Sequence, residues 1–231
     1  ITIVAFPFLL AAFQVFPSIE LYFQSLRSQA ISPGWFEYFR PPTEYLITYI
    51  APDFFGNPAT RNEWGRGSYV EMMGYIGLVP FMFALAAILA TIKGLSFNGR
   101  PVSRFFVTVI GVSLLLSLKT PIANILYLLR IPILATSSPA RITGLIGFSL
   151  AILAGIGFNQ WQKQKISLVK STKIVASILG ILWMTTLIAP RIFHADWAAN
   201  LIISQRNLIL PTALFIILTV ALLISKRLIL D

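Results

Sequence analysis

The sequence predicts an all-α fold: a polytopic bundle of about six transmembrane helices with an ordered extracytoplasmic loop carrying short interfacial helices. Three observations predict it. Mean hydropathy is +0.81, and 57% of the 231 residues are hydrophobic against 11% charged, more apolar surface than a soluble interior hides. The apolar residues gather in stretches near the roughly 20 residues that a helix needs to cross a bilayer. The polar segments between those stretches alternate in charge.

In order, the spans are 1–17, 75–92, 102–118, 142–159, 174–190 and 208–224, read as one transmembrane domain. The chain opens on ITIVAFPFLL, with no initiator Met, basic n-region or small-residue cleavage site. It therefore reads as a fragment entered partway through a hydrophobic helix rather than as a signal peptide. The third span is short, with Arg104 near its start, where a long side chain snorkels to the headgroups. In the fourth, Gly147, Ala151 and Gly155 recur every four positions, a small-residue face that predicts close helix packing.

Charge then orients the spans. The 93–104 connection holds Lys93, Arg100 and Arg104, the 160–173 connection holds Lys163, Lys165, Lys170 and Lys173, and the tail holds Lys226 and Arg227; the two connections contain no acid. The positive-inside rule makes these cytoplasmic and leaves 25–70, 119–141 and 191–207 extracytoplasmic. The outer side carries Arg27, Arg40, Arg61, Arg66, Arg130, Arg141, Arg191 and Arg206 but only Lys119 among lysines. Arginine is a planar fork suited to carboxylate or phosphate. Two roles stand open for this set: pairing with nearby acids, or meeting a phosphorylated ligand.

Composition also excludes classes. With no cysteine and one histidine, His194, disulfide frameworks, thiolate catalysis and metal sites built on Cys or several His are ruled out. An all-carboxylate site for a hard cation stays open, but no motif predicts a metal or a cofactor. The net charge of +10 sets topology and meets anionic membrane lipids, and no basic stripe on a soluble face points to nucleic acid. No transporter-like internal repeat is present.

Four stretches are rich in groups able to do chemistry. In FQVFPSIELYFQSLRSQ, Glu20, Gln24 and Arg27 are spaced to share a helix face, with Pro17 placed to kink or end the apolar part. In PPTEYLITYIAP, Thr43 is placed to cap a short helix whose Tyr45, Leu46, Tyr49 and Ile50 form an aromatic side suited to the interface. In APDFFGNPATRNEWGRGSYVE, Gly56, Gly65, Gly67, Pro52 and Pro58 dictate turns around Asp53, Arg61, Glu63 and Arg66. The GRGS within it lacks the ending and preceding strand of a phosphate loop. In LATSSPAR, Ser138 and Pro139 read as N-cap and first helical residue, which with Arg141 make either an outward anion site or a capped helix with a snorkelling arginine.

Taken in this order, the pieces resemble the YfhO family of bacterial integral membrane proteins, relatives of the GT-C glycosyltransferases. The resemblance rests on Gln14, Pro17, Glu20, Ser25 and Arg27, on APDFFGNP with the following Tyr69, on SYVEMMGYIGLVP, and on Ser138 to Arg141. It covers roughly residues 10–160. It implies transfer of a sugar from a polyprenyl-phosphate carrier to a cell-envelope acceptor on the extracytoplasmic face. GT-C enzymes place their catalytic acid in a first outer loop that this chain does not contain, so no catalytic residue carries over. The carboxylates open to test are Asp53, Glu63 and Glu20; the phosphate-binding candidates are Arg27, Arg61, Arg66, Ser138 and Arg141. The alternative is a non-catalytic transporter, flippase or envelope-assembly scaffold.

Overall fold

A computed structural model describes residues 6–7, 9–25, 33–129, 138–192 and 195–224. Every regular element among them is helical. In chain order the α-helices are α1 (Ala12–Gln24), α2 (Pro33–Tyr38), α3 (Tyr69–Met72), α4 (Leu78–Ile92), α5 (Arg100–Ser117), α6 (Asn124–Leu128), α7 (Thr143–Gln162), α8 (Val169–Ile192) and α9 (Ala195–Ile224). Short 3₁₀ turns at Thr43–Tyr49, Pro58–Thr60 and Pro139–Ile142 complete the set.

Among the described residues, four stretches are long and apolar enough to cross a membrane: Arg100–Ser117, Pro139–Gln162, Val169–Arg191 and Ala198–Ile224. The predicted 75–92 span is a shorter helix of 15 residues, about 22 Å at 1.5 Å per residue. Its start is set by Gly77 at φ +96°. Yet α4 is the centre of the bundle, packing most closely on α7 and also against α5, α8 and α9. Leu78, Met82, Ala84, Ala86, Ala87 and Ala90 are all but inaccessible. A helix walled in by its neighbours need not match the hydrocarbon thickness, because they carry the contact with lipid.

The helices run so that their connections fall into two groups. At one end, Arg40 reaches the chain after α5, Glu71 meets Arg141 before α7, and Ser204 and Asn207 of α9 reach back to residues 53–54. At the other, Gln160 donates to the Asn98 carbonyl at 2.9 Å. Lys93 lies beside Lys170, and this close approach, ahead of burial and charge repulsion, holds Lys93 below its ordinary pKa. The chain thus has a loop end, rich in acids and arginines, and a lysine end.

Several expectations need correction. Pro17 neither ends nor interrupts α1, which continues to Gln24; the Ser18 hydroxyl donates to the Gln14 carbonyl at 2.7 Å next to the proline. Thr43 opens its 3₁₀ turn without making a side-chain cap, and Pro42 occupies the capping position. The aromatic side of that turn faces inward: Tyr45, Tyr49 and Ile50 are buried in the core, while Leu46 is exposed with Thr43 and Glu44. Residues 195–207, expected as loop, are the first turns of α9, since no glycine or proline breaks the run between 195 and 210. Among the described residues no helix closes on the Gly147, Ala151 and Gly155 face: Ala151 and Gly155 are exposed. The helix instead buries Ile146, Leu150, Leu153 and Gly157, where a Cβ on Gly157 would stand 2.1 Å from the Phe83 carbonyl oxygen.

A candidate polar cleft at the loop end

The loop end is built on an aromatic knot. Tyr45 stacks on Phe55 with ring centroids 4.6 Å apart, and Trp64 packs edge-on against Phe55 at 4.9 Å. The Tyr45 hydroxyl donates to the Arg66 carbonyl at 2.6 Å. Burial is the main reason its pKa rises to about 12. Gly65 is required here, because a Cβ at that position would fall 2.3 Å from the same hydroxyl. Gly56 turns the chain at φ +81°, where a Cβ would strike the Asn62 carbonyl. Aromatic burial and backbone turns together pin 53–66 against the bundle, and the Ser204 hydroxyl of α9 completes the anchor by donating to the Phe54 carbonyl at 2.6 Å.

This framework holds a cleft of about 390 Å³ lined by Asp53, Asn57, Thr60, Asn62, Ile203, Arg206 and Asn207. Asp53 is its fixed acceptor. The Tyr69 hydroxyl donates a short hydrogen bond to Oδ1, and the Asn57 amide lies 3.2 Å from the same oxygen and 3.1 Å from the Tyr69 hydroxyl. Burial first, then the bond to Asp53, raises the Tyr69 pKa to about 12, so Tyr69 remains a donor at neutral pH. Asn207 Nδ2 donates to the Asp53 carbonyl at 2.5 Å, which ties the loop to α9. The Asn62 carbonyl accepts from the Asn57 backbone N–H at 2.9 Å and from Thr60 at 2.7 Å. Asp53 Oδ2 meets no donor and Arg206 forms no ion pair among the described residues. A carboxylate oxygen, an unpaired guanidinium and several amides on one wall form a surface able to bind hydroxyls and an anion together.

The other candidates scatter. Glu63, Arg61 and Arg66 are exposed on the loop; Arg61 sits at φ +54° and ends the Pro58–Thr60 turn. Glu20 is on α1, none of whose residues is buried, and accepts from Gln24 at 3.3 Å. Arg27 and His194 lie outside the described residues. Ser138 occupies the predicted N-cap position but makes no capping bond, and its hydroxyl is buried without a partner. Arg141 pairs with Glu71, with Nε and Nη2 at 3.1 and 3.0 Å from Oε1. It is therefore not an isolated anion receptor. Among the described residues no group of three metal-ligating side chains assembles.

The sequence reading counted Arg206 among the outer arginines without placing it in a site, and it missed Asn207, which lines the cleft beside it from α9; the signal was present, since Asn200, Ser204 and Asn207 are spaced i, i+4, i+7 just ahead of an apolar run. Arg40, grouped with the outer arginines, is only 3% exposed. It bonds Glu37, the Asn124 carbonyl at 2.8 Å, and the Leu118 and Thr120 backbone carbonyls at 3.1 and 2.6 Å. Comparison with family models, curated proteins and solved structures finds no match.

Proposed function

We propose that this chain handles a polyprenyl-phosphate-linked sugar at the loop end of its helical bundle, on the extracytoplasmic side of a membrane. The observation that carries the reading is the Asp53 cleft. It sits where the apolar part of α9 begins, so a ligand with a lipid tail in the membrane and a polar head above it reaches the cleft directly. Amides and a carboxylate suit sugar hydroxyls, and Arg206 suits the phosphate. In a transfer reaction Asp53 Oδ2 would accept the proton of the acceptor hydroxyl as its oxygen bonds the anomeric carbon and the C1–O bond to the carrier breaks, the polyprenyl phosphate leaving against Arg206, with Tyr69 and Asn57 fixing the carboxylate. The substrate class rests on the resemblance to YfhO and GT-C proteins, and the sidedness on the lysine-rich connections at the opposite end.

The second reading is a non-catalytic scaffold, favoured by the use of Arg40 and Arg141 in internal pairs. One assay separates the two. The full protein in membranes is given radiolabelled polyprenyl-phosphate sugar, and transfer by the parent is compared with Asp53→Asn and Arg206→Ala. Transfer by the parent, falling about a hundredfold in Asp53→Asn as expected for loss of a general base, supports the enzyme. Donor retention without transfer, weakened by Arg206→Ala, supports binding alone. Neither retention nor transfer with varied donors leaves the scaffold.

A further inference from the structure

A second cavity, of about 320 Å³, opens beside the first turns of α7 and is lined by Val70, Glu71, Met73, Ile76, Arg141 and Gly147, among others. The Glu71–Arg141 pair stands at its polar end. Arg141 spends Nε and Nη2 on Glu71 Oε1 and is 55% exposed, while Glu71 Oε2 is shielded from water and meets no donor. A buried acceptor left without a donor favours any ligand that supplies one. Below the pair, Gly144, Gly147, Ala151 and Gly155 recur at i, i+3, i+7 and i+11 on one face of α7. A Cβ at Gly144 or Gly155 would meet nothing within 4 Å. A charge pair therefore sits at the polar end of a furrow made of that cavity and the open strip of small residues beyond it, on a helix long and apolar enough to cross a membrane.

We propose that this furrow binds a phospholipid with a phosphoethanolamine headgroup, its phosphate on Arg141, its ammonium on Glu71 Oε2 and an acyl chain along the glycine face of α7. Charge complementarity selects this occupant. A zwitterionic headgroup matches a site that presents one cation and one carboxylate and has no net charge to offer an anionic lipid. The free acceptor selects further, because a primary ammonium donates hydrogen bonds and the quaternary ammonium of choline has none to donate. Turning the Glu71 carboxylate about its soft terminal torsion brings Oε2 to the headgroup ammonium and gives up the Oε1 contact with Arg141, whose released Nε and Nη2 then take the phosphate. The site is separate from the Asp53 cleft and shares no lining residue with it.

The test is lipid binding to the full protein in detergent, followed by native mass spectrometry, with phosphatidylethanolamine, phosphatidylcholine, phosphatidylglycerol and polyprenyl phosphate as separate arms. The ethanolamine lipid is expected to bind about tenfold more tightly than the choline lipid of the same acyl chains, the worth of one charge-assisted hydrogen bond. Glu71→Gln is expected to erase that preference, and Gly144→Leu, which fills open space, to weaken both lipids about tenfold. Exposed Ala151→Phe serves as a second blocking variant. Equal binding of the two zwitterionic lipids by the parent overturns the proposal, as does tighter binding of either anionic lipid. Efficient disulfide dimerisation of Gly155→Cys in membranes also overturns it, since the furrow would then hold a second helix.

Discussion

At the scale of single residues, the arginines of the loop end divide by what surrounds them rather than by type. Arg40 is enclosed, and its guanidinium satisfies two backbone carbonyls and an asparagine that would otherwise be stranded. Arg61 projects from a turn into solvent with no such partners. Arg40→Met is therefore expected to destabilise the protein by about 3 kcal/mol, the cost of leaving buried acceptors unpaired. Arg61→Ala is expected to change stability by no more than about 0.5 kcal/mol. Chemical denaturation of both variants in one detergent checks the contrast, and equal stabilities would remove Arg40 from its structural role. The sequence showed both as arginines of one loop region; only the fold distinguishes them, because burial depends on which distant segment closes over the side chain.

At the scale of elements, α7 carries two faces of small residues, and packing uses the one that the four-residue spacing did not point to. Gly157 lies against the α4 backbone at Phe83, while Gly155 faces open space. Gly157→Ala is expected to force α4 and α7 apart at a cost of about 1–3 kcal/mol. Gly155→Ala is expected to be neutral or to stabilise by about 0.5–1 kcal/mol, since alanine is the better helix former. Thermal unfolding of the two variants against the parent decides it, and the reverse order would contradict this packing. A helix apolar on all sides has no hydropathy contrast to show which face meets protein and which meets lipid. The same limit hid the central position of α4, whose composition resembles that of its neighbours.

For the whole molecule, the grouping of connections into a loop end and a lysine end implies that position 60 and position 165 lie on opposite sides of the membrane. The chain contains no cysteine, so Thr60→Cys and Lys165→Cys each introduce a single reactive thiol at an exposed site. An impermeant maleimide applied to intact cells is expected to label Thr60→Cys and to reach Lys165→Cys only after permeabilisation. Labelling of both from one side would break the two-ended arrangement; labelling of Lys165→Cys alone in intact cells would invert the orientation and remove the extracytoplasmic setting proposed for the cleft.

The sequence by itself determined that the chain is helical and apolar enough to cross a membrane, because hydropathy and span length are summed along the chain and need no partner. Its glycines also located backbone turns, as at Gly56 and Gly67, where φ is positive. Where these residues meet was decided by tertiary structure alone. Asp53 and Asn207 are 154 positions apart, and Glu71 and Arg141 are 70 apart. Such pairs form only when helices of similar composition choose neighbours, a choice set by side-chain shape and buried hydrogen bonds, to which hydropathy is blind.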